Sequence, residues 1–178
     1  NLKTMENFTF CTPTEFIFGR GTQKEAGSAL ARRGASRVMI VYGSDRIERS
    51  GLLKEITDSL TGAGIQYVKF GGIKPNPTAA SVYEGIEVAR REKIDFFLAV
   101  GGGSPIDAAK GMALGTIYPG DFWDFYVGKA KPHAALPIGV VLTIPAAGSE
   151  GSGNSVITNE ETHQKISVRY PGMLRPAF

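Results

Sequence analysis

The chain has 178 residues, enough for one domain with a sizeable core. Hydrophobic residues make up 42% and charged residues 21%, a balance that excludes a disordered chain. The 20 Lys and Arg exceed the 17 Asp and Glu by only three charges, spread along the chain without a basic run, so neither nucleic acid nor a membrane surface is an expected partner.

Asn1 to Thr4 precede Met5, which is expected to be the native start, leaving the first four residues outside the fold. Cys11 is the one cysteine; it excludes an intrachain disulfide and fits a reducing, cytoplasmic compartment. No signal peptide is visible. The longest apolar stretch, 134–147, is shorter than the roughly 20 residues a spanning helix needs and contains Pro137 and Pro145.

Residues 15–18 (EFIF) predict a first short strand, closed by Gly19 and Gly21. Thr22 is expected to cap a helix reaching about Arg33 and stopped by Gly34. The run RVMIVY at 37–42 has the near-continuous apolar character of a strand buried on both faces. Ser50 then caps a helix whose apolar face is Leu52, Leu53, Ile56 and Leu60, and residues 65–70 form a third strand. Pro75, Asn76, Pro77 and Thr78 make a turn and a cap before a helix lined by Val82, Tyr83, Ile86 and Ala89. Residues 94–100 (IDFFLAV) are another buried strand, with Ser104 and Pro105 starting the next helix. Residues 137–144 supply a further apolar run, and 156–158 with 166–168 predict a hairpin. Pro176 to Phe178 are expected to enter one more strand, with further polypeptide beyond. The alternation predicts an α/β fold: a doubly wound, mostly parallel, Rossmann-like sheet with a β-hairpin near the C-terminal end.

The motif with most chemical content is Gly101-Gly102-Gly103-Ser104-Pro105-Ile106-Asp107, with Lys110 one helical turn on. Glycines admit a ligand close to the backbone, and a helix start offers free N–H groups and a positive dipole end, which together suit a pyrophosphate. Ser104 adds a hydroxyl; Asp107 either caps the helix or orients a neighbour. The usual G-x-G-x-x-G turn after the first strand is missing, so a nucleotide must rest on this later loop. After RVMIVY come Gly43, Ser44, Asp45 and Arg46. The small residues leave room for a 2′-phosphate and Arg46 can pair with it, which favours NADP; Asp45 keeps NAD open. A second small-residue loop, 143–153, follows a strand and could line a groove for a flat ring. His133 and His163 lie thirty residues apart and no metal-binding motif occurs, so both are expected in surface loops. The DFWDFY cluster at 121–126 is expected to be a satellite core.

With these residues assembled, the chain resembles the iron-containing (group III) alcohol dehydrogenase family, and most closely its NADP-dependent butanol dehydrogenase-like branch. The matching stretches are FTFCTPTEFIFGRGT at 8–22, KPNPT at 74–78, GGGSPIDAAKG at 101–111 and LPIGVVLTIPAAGSEGSGNSVITNEETHQK at 136–165. The resemblance implies a dehydroquinate synthase-like N-terminal nucleotide domain, here residues 5–178, and a C-terminal helical domain absent from this chain. It implies that Gly102, Gly103 and Ser104 hold the cofactor pyrophosphate and that Asn76 also touches the cofactor. Thr143, Ala146 and Ser149 would flank the nicotinamide half, and Lys165 would reach its ribose. Gly43 stands where NAD-preferring members carry an acid. The divalent metal, Fe or Zn, would be held by one Asp and three His of the helical domain, none of them among residues 1–178. The implied substrate is an alcohol or aldehyde, and a homodimer could form through residues 8–18. This chain alone is expected to bind cofactor weakly, to catalyse nothing and to expose an apolar face. Two alternatives stay open: a standalone nucleotide-binding module, or part of an enzyme like glycerol dehydrogenase or dehydroquinate synthase.

Overall fold

The structure is a computed structural model and describes residues 12–178. Met5, Phe8 and Cys11 lie outside them. The elements in chain order are α1 (Ala26–Ala31), β1 (Arg37–Tyr42), α2 (Arg46–Arg49), α3 (Leu52–Gly62), β2 (Gln66–Phe70), α4 (Ala79–Arg91), β3 (Phe96–Gly101), α5 (Gly103–Ile117), α6 (Trp123–Tyr126), β4 (Ile138–Leu142), β5 (Asn154–Asn159), β6 (Gln164–Arg169) and α7 (Pro171–Leu174).

Four strands form one parallel sheet in the order β2-β1-β3-β4. β1 and β3 occupy its centre, with Val38 opposite Phe96 and Ile40 opposite Leu98. Side chains alternate across a strand, which sorts the apolar run into two layers. Val38, Ile40, Phe96 and Leu98 pack with Leu30, Leu53 and Ile56, on the face covered by α1 and α3. Met39, Val41, Phe97 and Ala99 pack with Val82, Ile86 and Met112, on the face covered by α4 and α5. Burial on both faces is why these strands read as continuous apolar runs. The hairpin β5–β6 is antiparallel, pairing Ile157 with Ile166, and covers the outer side of α5. Enclosed by β3, α4 and β5, α5 is buried from Pro105 to Gly115 except at Asp107, with no polar stripe. A Cβ on Gly115 would stand 2.2 Å from the Ile86 side chain, so the α4–α5 contact demands a bare backbone there.

Several local expectations are corrected. Residues 15–18 join no strand ladder; Glu15 donates its N–H to the Ala177 carbonyl at 3.1 Å instead. Thr22 does not cap α1. A 3₁₀ turn, Thr22–Glu25, comes first, and it starts from Gly21 at φ 82°. Likewise Gly51, at φ 81°, precedes α3 in place of Ser50. A left-handed glycine redirects the chain into the helix, and the neighbouring hydroxyl is left to bond nearby. The expected Thr78 cap does form, accepting from the Ser81 N–H at 3.3 Å. The 121–126 cluster belongs to the main core: Trp123 and Tyr126 stack at 5.1 Å and Phe122 is 1% exposed. Ala177 and Phe178 bond to Ile138 and Val140 along the outer edge of β4. Among the described residues no helix is long and apolar enough to cross a membrane.

At the N-terminal ends of the strands, Glu92 receives Arg37 Nη2 at 2.7 Å, and this partner holds its carboxyl below the ordinary 4.5. Its contribution to stability is complete above pH 4.5 and is lost as acid carries the pH down through the lowered native value. Glu92→Gln is therefore expected to flatten the acid side of the stability profile, measured as urea midpoints above and below that pH.

Candidate functional site

In the order β2-β1-β3-β4, the chain turns one way after β1 and the other way after β3. A doubly wound sheet opens a crevice at the carboxyl ends of the two strands where this reversal occurs. Gly43 follows β1 and Gly102 follows β3, so the two candidate loops meet there. Gly101 has φ 144°, and a Cβ on it would come within 2.9 Å of Pro105 Cγ, so only glycine makes this turn without strain.

α5 starts two residues earlier than the sequence indicates. Gly102 is its N-cap, with no side-chain cap, and Ser104 lies inside the first turn. The first amides of a helix have no acceptor within it, and no side chain caps them here. Nor does Asp107 cap the helix. Its Oδ1 accepts from Ser149 Oγ at 2.6 Å, its Oδ2 from the Val156 N–H at 3.1 Å, and its carbonyl from Ser155 Oγ at 2.8 Å. Burial raises the Asp107 carboxyl above its ordinary value, against the opposing pull of Ser149 and Lys110.

A cleft of about 330 Å³ opens at this helix start, lined by Asn76, Gly103, Ser104, Asp107, Val156 and Lys165 among others. Lys165 Nζ donates to Asn76 Oδ1 at 2.7 Å across it. Asn76 sits at φ 56°, a left-handed conformation that Asn tolerates better than most residues. The fold therefore assembles Asn76, Gly103, Ser104, Asp107 and Lys165, drawn from positions up to 89 residues apart. A larger cavity of about 420 Å³ lies elsewhere, between residues 14–19, β4 and Phe178, and is bordered by the exposed rings of Phe16 and Phe18.

The loop after β4 lies against the glycines. Thr143 donates its N–H to the Gly101 carbonyl at 3.0 Å, and a Cβ on Gly103 would stand 3.5 Å from Ala147 Cβ. Ala147, rather than Ala146, is the residue that lines the cleft. Ser149 is buried, and its hydroxyl is engaged inward rather than toward the cleft. Gly43 touches the same region from the other side, with its Cβ position 3.9 Å from Pro105 Cγ. Ser44 and Arg46 are exposed at the start of α2 and do not line the cleft.

Lys110 carries a role that sequence reasoning missed. It is fully buried, and its Nζ donates to the Ser149 carbonyl and Oγ, and to the carbonyls of Ser152 and Asn154, at 2.7–3.0 Å. Burial pushes the ammonium down to about 8, opposed by Asp107 and Glu150. A lysine in the otherwise apolar AAKGMALG stretch was the available signal. Both histidines are exposed, and among the described residues no group of three His, Cys, Asp or Glu converges into a metal site.

The profile of iron-containing alcohol dehydrogenases matches residues 13–178. The chain is 45% identical over 174 residues to the probable NADH-dependent butanol dehydrogenase 1 of Bacillus subtilis, covering 98% of this chain and 44% of that protein. It is 36% identical over 177 residues to an NADPH-dependent aldehyde reductase of Escherichia coli, again covering 98% of this chain and 44% of the relative. The crystal structure of NADH-dependent butanol dehydrogenase A from Thermotoga maritima superposes with a TM-score of 0.92 at 45% identity, over 97% of this chain and 43% of that one. The chain thus spans less than half the length of these relatives, always their N-terminal part. Matched by the family profile over nearly its whole length and 45% identical to the first of these relatives, the chain belongs to the iron-containing alcohol dehydrogenase family.

Proposed function

We propose that residues 5–178 form the nucleotide-binding domain of an alcohol dehydrogenase that moves a hydride between NADP(H) and an alcohol or aldehyde. The observation that carries this reading is the uncapped start of α5, opening on a cleft that Asn76 and Lys165 close from the opposite side. Gly102 and Gly103 let a diphosphate approach the backbone, the amides of the first turn neutralise its charge, and Ser104 adds a hydroxyl. Lys165 and Asn76 hold the far end of the ligand. The 143–148 segment lies beside the same glycines and shields one side of the groove. When bound, the nicotinamide supplies hydride chemistry at its C4.

Two of the relatives named above are NADH-dependent and one is NADPH-dependent. For this chain the residues after β1 favour NADP. No carboxylate stands at position 43 to receive a ribose diol, and Ser44 and Arg46 are exposed where a 2′-phosphate would emerge. The divalent metal, Fe or Zn, is proposed to reside on polypeptide corresponding to the rest of the relatives' length, since residues 12–178 gather no ligand set for it. A cytoplasmic homodimer completes the proposal.

Calorimetric titration with NADP⁺, NAD⁺ and ATP tests it. NADP⁺ is expected to bind tightest. Arg46→Ala should cost NADP⁺ about tenfold in affinity and NAD⁺ far less, as for one lost charge-assisted hydrogen bond. Equal affinity for NAD⁺ and NADP⁺ in both proteins would overturn the NADP assignment. Failure to bind either dinucleotide would end the dehydrogenase reading.

A further inference from the structure

α5 does more than present its own first turn. Asp107 and Lys110, one turn apart, both point toward the segment that follows β4 and hold it over residues 149–156. An ammonium has three N–H donors, and four oxygens surround this one, so every donor is used and one is shared. Three of the four acceptors are main-chain carbonyls, so the lysine fixes the path of the backbone and not merely one side chain. The opposite end of the loop is tied by the Thr143 N–H to Gly101. Between these anchors, residues 143–148 are exposed and Gly148 turns at φ 70°. The loop thus spans the crevice with both feet on the β3–α5 unit that carries the glycine turn.

A fully buried lysine is a costly way to hold a loop, because its charge must leave water. Stability alone would be served as well by an apolar side chain and a shorter loop. We propose that Lys110 is a positioning residue: through the 149, 152 and 154 carbonyls it sets the 143–148 segment at a fixed distance from the amides of α5, so that one helix places both the diphosphate and the nicotinamide half of the cofactor. Lys110 itself touches no ligand. The inference rests on the dinucleotide reading above.

The test compares two ligands on the wild-type chain and on Lys110→Met: NADPH, and 2′-phospho-ADP-ribose, which lacks nicotinamide. The variant is expected to lose about tenfold to a hundredfold in affinity for NADPH, the scale of an ångström-level misplacement, with the fragment nearly unaffected. Amide hydrogen exchange supplies a readout independent of ligand. The 149–156 amides should exchange faster in Lys110→Met, while β1, β3 and the body of α5 stay protected. Equal loss of both ligands, no loss of either, or unchanged exchange would overturn the proposal. Should the wild-type chain bind neither ligand, the dinucleotide reading falls and the exchange experiment still judges the loop anchor. If Lys110→Met does not fold, Ser149→Ala removes one of the four acceptors, together with the hydroxyl bond to Asp107, and keeps the carbonyl contacts. It should shift the NADPH-to-fragment ratio in the same direction by a smaller factor, and an unchanged ratio in that variant would equally refute the idea.

Discussion

Gly103→Asp is expected to weaken NADP⁺ binding by about a hundredfold or more while leaving the fold intact. The position tolerates a side chain: the nearest atom to an added Cβ is Ala147 Cβ at 3.5 Å, an ordinary contact. An acid in the first turn of a helix also favours the helix, by roughly 0.3–1 kcal/mol. The same carboxylate would occupy the free amides and face the diphosphate, and apposed like charges cost several kcal/mol. Stability and binding should therefore move in opposite directions, which separates a blocked site from a damaged fold. Thermal melting with calorimetric titration reads both. Undiminished affinity in a folded Gly103→Asp would remove the glycine turn from the binding site. Gly101→Ala makes the contrast: at φ 144° and 2.9 Å from Pro105, it should lose stability first.

Phe97→Ala should lower the free energy of unfolding by about 3–5 kcal/mol, the cost of removing a large ring from a core that cannot collapse around the gap. Phe97 is fully buried at the centre of the sheet and faces the layer under α4 and α5. Domains of this size have about 5–15 kcal/mol in all, so the variant approaches the limit of folding at room temperature. Phe18→Ser provides the control. That ring is fully exposed, and its loss should stay within about 0.5 kcal/mol. Urea denaturation of the two variants measures the difference. A Phe97→Ala protein as stable as the parent would contradict the two-layer packing.

The central strands were legible because RVMIVY and DFFLAV are buried on both faces, and such burial leaves an apolar run in the sequence. The hairpin and the glycine turn were legible for related reasons. Helix starts, apart from the Thr78 cap of α4, were not. Hydroxyl side chains signal a cap, but α3 and the turn before α1 begin at left-handed glycines, and α5 begins at Gly102. A glycine before a helix reads equally well as the end of the preceding loop. The strand expected at residues 15–18 failed because β propensity cannot tell a ladder from an extended segment held by a single backbone bond. In the site, Gly102, Gly103 and Ser104 are contiguous and could be found together. Asn76, Lys165 and the buried contacts of Lys110 depend on long-range packing, and no local spacing announces them.

The strand order has a cost during synthesis. β1 is central, yet its inner neighbour β3 lies about 60 residues further along the chain, an interval of roughly 3–12 s at translation rates of about 5–20 residues per second. Until Gly101 clears the ribosome, β1 can pair only with β2, and the ladder edge that belongs to β3 stands open beside Met39 and Val41. A nascent chain of this sequence carries a sticky half-sheet before it can close. Chaperone capture of stalled chains should peak for those long enough that β2 has left the ribosome and β3 has not.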